Sequence, residues 1–154
     1  MKDYFSTLWL RIFLWIIAFQ LLAGISLSVS TPGPWYYNLI ESPFWQGVAF
    51  LHTTLAVFGF YLWQKAIFVS EQKKLQFVFV LQMLINYAWS PVFFGFGQIT
   101  IACIMIITMV LLTGYLLYKC INYQYYIGYL LVPYLVWSVF AGYLTGYIFW
   151  FYPV

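Results

Sequence analysis

The stretch LQMLINYAWSPVFFG, residues 81–95, decides how the rest of the chain is organised. It is an apolar run of helical length that carries Gln82, Asn86 and Trp89, and these positions share a helical face with Phe93. An amide in hydrocarbon costs roughly several kcal/mol unless a partner restores its hydrogen bonds. The two amides therefore either face a cavity inside a bundle or join neighbouring helices, and the stretch alone leaves both interpretations open.

The composition identifies an integral membrane protein. Of the 154 residues, 66% are hydrophobic and only 6% are charged, whereas a soluble domain carries roughly a quarter charged residues. The net charge of +3 comes from six scattered basic residues that form no stripe, which argues against nucleic-acid binding. Two cysteines and one histidine, His52, suggest neither a disulfide framework nor a metal site.

Apolar segments recur along the chain, each near the ~20 residues that a bilayer crossing requires. They predict an all-α membrane protein, a five-transmembrane-helix bundle that forms one domain over residues 1–154. The first loop contains three prolines, and the other connections are short, so consecutive helices are expected to be antiparallel neighbours. The predicted spans are at about 12–29, 44–63, 75–94, 99–118 and 126–150.

The basic residues predict the orientation of the bundle. The N-terminal segment, the second loop and the fourth loop hold all six of them: Lys2, Arg11, Lys65, Lys73, Lys74 and Lys119. The first loop, the third loop and the C-terminal tail hold none. Because basic loops stay on the cytoplasmic side, we expect the N-terminus inside and the C-terminus outside.

The fifth span carries two helical faces of interest. Trp137, Ala141 and Leu144 share one face, where a large ring beside a small residue suits either a slot for a flat ligand or ordinary helix packing. Ser138, Gly142 and Gly146 form a ladder of small residues on an adjacent face. We interpret this ladder as a close helix contact, within the bundle or across a dimer.

Four blocks of the chain resemble the TspO/MBR (translocator protein / tryptophan-rich sensory protein) family. They are WYYNLIESPFW (35–45), the opening stretch, Ala102 in the fourth span and VPYLVWSVFAGYL (132–144). The resemblance implies a five-helix bundle, usually a homodimer, in membrane lipid. For a bacterial-type member, that membrane is the cytoplasmic membrane. It also implies a pocket beneath the first loop for porphyrins, such as protoporphyrin IX or haem, with no cofactor required.

The resemblance implies a set of ligand-binding residues when it is carried over position by position. Aromatic rings would stack on the ligand, small residues would make room for it, and an amide would orient it. The implied set is Ala23, Tyr36, Pro43, Trp45, His52, Asn86, Trp89, Trp137, Ala141 and Leu144.

The chain departs from the family pattern at several positions. Trp45 is followed by Gln46 and Gly47 instead of a double proline, and Thr145 replaces an asparagine. His52 stands where the family has a tryptophan in the second helix. It could be an interior hydrogen-bonded histidine, a pocket residue, or an axial ligand of haem iron.

Three functions remain open from the sequence. The leading one is a receptor or carrier for porphyrin-like ligands, and the others are an enzyme that degrades porphyrin in light and a structural bundle that acts through a protein partner. Light-dependent breakdown in some relatives is linked to the tryptophan that His52 replaces. Asp3, Glu41 and Glu71 lie outside the predicted spans. No acid–base pair is therefore expected in the bundle, which disfavours an enzyme, and no catalytic residue is assigned.

Overall fold

The computed structural model describes residues 2–30, 48–64 and 71–151, and throughout these ranges the regular elements are helical. A π-helical turn, Pro91–Gly95, extends the third helix, and a 3-10 helix, Tyr126–Leu131, precedes the fifth. The α-helices are α1 (Lys2–Ser28), α2 (Val48–Gln64), α3 (Gln72–Ser90), α4 (Ile99–Asn122) and α5 (Val132–Phe151).

Four described segments are long and apolar enough to cross a membrane. They are Thr7–Ser28, Gln72–Gly95, Ile99–Asn122 and Tyr126–Phe151, and α2 adds a shorter apolar segment, Leu51–Trp63. The predicted all-helical membrane architecture is thus confirmed for four spans. The beginning of the predicted second span, residues 44–47, lies outside the described ranges, so the fifth crossing stays a prediction.

Several helices continue into stretches for which the sequence predicted loops. The lead-in before residue 12 belongs to α1, Lys73 and Lys74 lie in the first turn of α3, and Lys119 lies in the last turn of α4. The predicted loop boundaries at these lysines were wrong. Since neither proline nor glycine interrupts these stretches, the helical hydrogen bonding continues past each apolar run.

The helices pack as a ring in the order α1, α2, α5, α4, α3. In this ring α1 contacts α2 and α3, α4 packs between α3 and α5, and α2 contacts α5 and the 3-10 helix. Gly59 permits the approach of α2 to α3, because a Cβ atom there would lie 2.7 Å from the ring of Phe79. Phe79 itself is held in a cluster of rings with Phe19, Phe58 and Trp63.

Two buried clusters stabilise the bundle. The larger one includes Leu55, Phe58, Phe79 and Leu116 and lies among α2, α3, α4 and the 3-10 helix. The smaller one, near the π-helical turn, consists of Phe93, Ile99, Ala102 and Ile148. A cavity lies between them and is lined by residues of both clusters.

The π-helical turn begins at a proline, Pro91. Pro91 lacks a backbone N–H, so it cannot donate to the carbonyl of Tyr87 one turn earlier. The Ser26 hydroxyl of α1 donates to that carbonyl instead, with an oxygen–oxygen distance of 2.6 Å. After the turn, Gly97 adopts a positive φ of 63°, which glycine tolerates, and α4 begins at Ile99.

Candidate functional site

A cavity of about 330 Å³ lies inside the ring of helices. This volume is within the range of roughly 300–1,000 Å³ that is usual for small-molecule pockets. All five helices contribute to its walls. The lining residues are Ala23, Ser26, Leu27, Leu51, His52, Asn86, Tyr87, Trp89, Ser90, Phe93, Phe94, Ile106, Met109, Tyr134, Trp137, Ser138, Phe140, Ala141, Leu144 and Thr145.

The cavity brings together most of the residues that the sequence singled out. Three members of the predicted set, Tyr36, Pro43 and Trp45, lie outside the described residues. The other seven all line the cavity: Ala23, His52, Asn86, Trp89, Trp137, Ala141 and Leu144. These seven side chains therefore lie in one cavity, and their contact with a ligand stays a prediction.

The Trp89 ring is fixed in one orientation. Its indole N–H donates to the carbonyl oxygen of Ala102 on α4 at 3.1 Å. Its face stacks on Phe93, with ring centroids 4.9 Å apart and planes 9° apart. On α5, Trp137 packs beside Phe140 at a centroid distance of 5.8 Å. Aromatic side chains therefore line the cavity on α3 and on α5, two helices that are far apart in the sequence.

A chain of polar side chains crosses the cavity wall from α2 to α5. His52 Nε2 lies 3.1 Å from Asn86 Oδ1, and since an amide oxygen only accepts, the imidazole donates in this arrangement. Asn86 Nδ2 donates to the Tyr134 hydroxyl, which in turn lies 3.5 Å from Met109 Sδ. His52 is therefore both an interior hydrogen-bonded histidine and a cavity residue.

Gln82 and Asn86 share a helical face, but their side chains have different surroundings. Its side chain is fully buried, and it does not line the cavity. The polar face of α3 thus divides into two parts. Asn86, Trp89 and Phe93 line the cavity, whereas Gln82 lies within the packed interior.

Sequence reasoning missed several lining residues that periodicity could have found. Tyr134 lies one turn before Trp137 on the face that continues to Ala141, and Ser26 lies one turn after Ala23. Tyr87, whose ring stacks on His52 at a centroid distance of 5.9 Å, follows Asn86 directly. Because Tyr87 lies off the helical face that Asn86 and Trp89 share, helical spacing did not predict it.

Two residues of the small-residue ladder on α5, Ser138 and Gly142, are packed inside the bundle. Ser138 is buried and donates to the carbonyl of Tyr134, one turn earlier. A Cβ atom at Gly142 would lie 3.7 Å from Ile106 of α4, so this glycine faces the neighbouring helix. Nothing lies within 4 Å of the corresponding point at Gly146.

The charged groups of the described chain lie away from the cavity. Lys119 and Glu71 form an ion pair of 2.8 Å between the end of α4 and the residue before α3. The hydrogen bond from Lys119 lowers the pKa of the Glu71 carboxyl. Among the side chains lining the cavity none is a carboxylate, a lysine or an arginine. The described walls therefore favour an apolar ligand with a few hydrogen-bonding groups.

A ring of apolar helices around a cavity with aromatic walls defines a helical membrane protein. The chain belongs to the TspO/MBR family, whose model matches residues 12–151, and it is an integral membrane protein. It is 26% identical over 137 residues to the tryptophan-rich sensory protein of Cereibacter sphaeroides, which covers 82% of this chain and 85% of the relative. It is also 26% identical over 143 residues to the tryptophan-rich protein TspO of Chlorobaculum tepidum, with 84% and 88% covered.

Proposed function

We propose that this protein is a membrane receptor or carrier that binds a flat hydrophobic ligand of the porphyrin type, protoporphyrin IX or haem, in the cavity. The observation that carries the proposal is that Trp89 and Trp137, on different helices, line the same cavity. Flat conjugated ligands stack on such rings. Family membership and the sensory name of one relative support a sensory or binding role in a membrane.

The polar chain of the cavity suggests how the ligand is oriented. Asn86 and Tyr134 present hydrogen-bonding groups in largely apolar walls, so they would direct a polar substituent of the ligand. The contact of His52 Nε2 with Asn86 favours a role for the imidazole in holding that amide. Axial ligation of haem iron through Nε2 would require this contact to break.

Ligand titrations of tryptophan variants test the proposal. Replacing either Trp89 or Trp137 with Ala should weaken protoporphyrin binding by about 1–3 kcal/mol, roughly 5- to 150-fold in Kd, because an aromatic stacking surface is lost. Trp150→Ala is the matched control, since Trp150 is 77% exposed and lies outside the cavity lining. Quenching of intrinsic fluorescence gives Kd for each purified variant.

Thermal unfolding of the same variants separates lost ligand contact from lost folding, because the Trp89 indole also joins α3 to α4. Unchanged affinity in both cavity variants would move the binding site elsewhere. A protein that binds no porphyrin at all would favour a structural bundle that acts through a protein partner. Loss of the porphyrin absorption band under light would favour the enzyme.

We also propose the finer architecture. The bundle crosses the bacterial cytoplasmic membrane five times, with the second span at about 44–63, and places the N-terminus in the cytoplasm and the C-terminus outside. The distribution of all six basic residues supports this orientation. The working assembly is a homodimer in membrane lipid, as the resemblance to the family implies.

A further inference from the structure

A second pair of polar side chains, Gln82 and Thr113, lies one helical turn away from residues that line the cavity. The Tyr134 hydroxyl contacts Asn86 of α3 and Met109 of α4, so these two residues lie at the same level of the bundle. The neighbouring helices α3 and α4 are joined by a short turn and run antiparallel. Gln82 lies one turn before Asn86, and Thr113 lies one turn after Met109, so both are at the next level down.

Both of these side chains are fully buried and lack hydrogen bonds to the described residues. Gln82 and Thr113 are each 0% exposed. Neither amide atom of Gln82 nor the hydroxyl of Thr113 has a partner in the part of the chain that the structure describes. The Gln82 side chain lies near the Tyr134 hydroxyl, and both of its amide atoms lack a hydrogen bond within the described part of the chain. Unpaired groups of this kind destabilise a folded protein, and hydrocarbon surroundings supply no substitute.

We propose that an internal water molecule binds at this level, between Gln82, Thr113 and Tyr134. A buried water typically makes about three hydrogen bonds to groups that otherwise have no partner. It can accept from the Thr113 hydroxyl and donate to Gln82 Oε1 and to the Tyr134 oxygen. The neighbouring buried side chains, Phe79 and Leu116, are apolar and offer no competing partner.

The water makes the polar chain of the cavity wall longer. It connects His52, Asn86 and Tyr134 to Gln82, so the Tyr134 hydroxyl is held from two sides rather than by Asn86 and a weakly accepting sulfur alone. Gln82 and Thr113 are therefore positioning residues for the cavity wall. This inference concerns the protein without ligand and is independent of the proposed function.

The sign of a stability change tests the inference. Thr113→Val and Gln82→Met replace each polar side chain with an apolar one of similar size. If the water is bound, each variant removes one of its partners, and Tm should fall by about 2–4 °C. The double variant should lose less than the sum of the two, because both changes act on one water. Increases in Tm would show a dry site and overturn the proposal.

Thr108→Val is the matched control on the same helix. The Thr108 hydroxyl donates to the Ile104 carbonyl of its own helix at 2.8 Å, so its loss should leave Tm almost unchanged. Water-edited solid-state NMR of the whole protein in lipid bilayers then identifies the partner directly. We expect transfer from water to the Gln82 side-chain amide in the unmodified protein and a weaker signal in Thr113→Val. Absence of that transfer in the unmodified protein would mean that no water is bound beside Gln82 and would overturn the proposal.

Discussion

Ser26 is a small residue that compensates for a proline on another helix. Pro91 leaves the Tyr87 carbonyl without its helical donor, and the Ser26 hydroxyl donates to that oxygen at 2.6 Å. The same serine lines the cavity. A hydroxyl on α1 therefore stabilises the end of α3, which carries Trp89, next to the π-helical turn, which carries Phe93.

Removing this hydroxyl should have an effect that depends on Pro91. Ser26→Ala leaves the Tyr87 carbonyl without the serine's hydrogen bond, which should lower the free energy of unfolding by about 1–3 kcal/mol. With Pro91→Ala already present, an alanine N–H can donate to the same carbonyl, so Ser26→Ala should cost less. Denaturation of the two single variants and the double variant measures this coupling. Additive losses would contradict the compensation.

At the residue scale we expect His52 to make the breakdown of a bound porphyrin slow. Oxidation of an excited porphyrin needs an electron-rich ring against the ligand, and imidazole is a poorer one-electron donor than indole. We expect the unmodified protein to bind protoporphyrin and bleach it slowly in light, and His52→Trp to bleach it faster. An indole at this cavity position can keep the hydrogen bond to Asn86, because it also donates from a ring nitrogen.

Absorption of the porphyrin band during illumination measures this rate. Trp137→Phe is the control, since it keeps an aromatic ring on α5 and should not accelerate bleaching. Rapid bleaching by the unmodified protein that survives His52→Ala would contradict the argument and favour the enzyme.

The close packing of α2 against α3 is set by one glycine. Gly59 lies against Phe79, which is 2% exposed and surrounded by Phe19, Phe58 and Trp63. The ring cannot move aside without disturbing this cluster, because protein interiors are packed at crystal density. The separation of the two helices in turn sets where His52 of α2 meets Asn86 of α3.

Gly59→Ala should therefore destabilise the bundle, although alanine is the better helix former. A Cβ atom 2.7 Å from the Phe79 ring forces a shift that should lower the free energy of unfolding by about 1–3 kcal/mol. Gly24→Ala on α1 is the matched control, since nothing lies within 4 Å of its Cβ position, and it should be neutral or slightly stabilising. Thermal unfolding of both variants makes the comparison, and equal Tm values would contradict it.

The charges of the chain predict the orientation of the whole molecule. Basic residues avoid translocation, so we expect a reporter enzyme that is active only outside the cytoplasm to work when fused after Val154. The same reporter fused after Gln124, between α4 and the 3-10 helix, should be inactive. The opposite pattern would reverse the proposed topology, and activity at both points would contradict the number of crossings between them.

The cavity depends on the whole bundle, because both buried clusters contribute residues to its lining. Leu51 and Tyr134 belong to the larger cluster, and Phe93 belongs to the smaller one. Cavity walls fixed in this way on both sides are largely preformed, which reduces the entropy lost when a ligand binds.

Composition and periodicity were enough to predict much of this arrangement. An apolar chain in lipid must satisfy its backbone hydrogen bonds internally, so the helical class follows from composition alone. The faces of α3 and α5 follow from helical spacing, which is why Asn86, Trp89, Trp137 and Ala141 were correctly grouped by face. These are local properties of the chain, because each depends only on residues a few positions apart.

Only the tertiary structure decided which polar groups meet. Ser26 and Tyr87 are 61 positions apart, and Asn86 and Tyr134 are 48 apart. Their pairing depends on how each helix is rotated and how closely it approaches its neighbours, which helical spacing does not specify. For the same reason the sequence left Gln82 and Asn86 equivalent. Packing of α3 against α4 buries Gln82, whereas Asn86 lines the cavity.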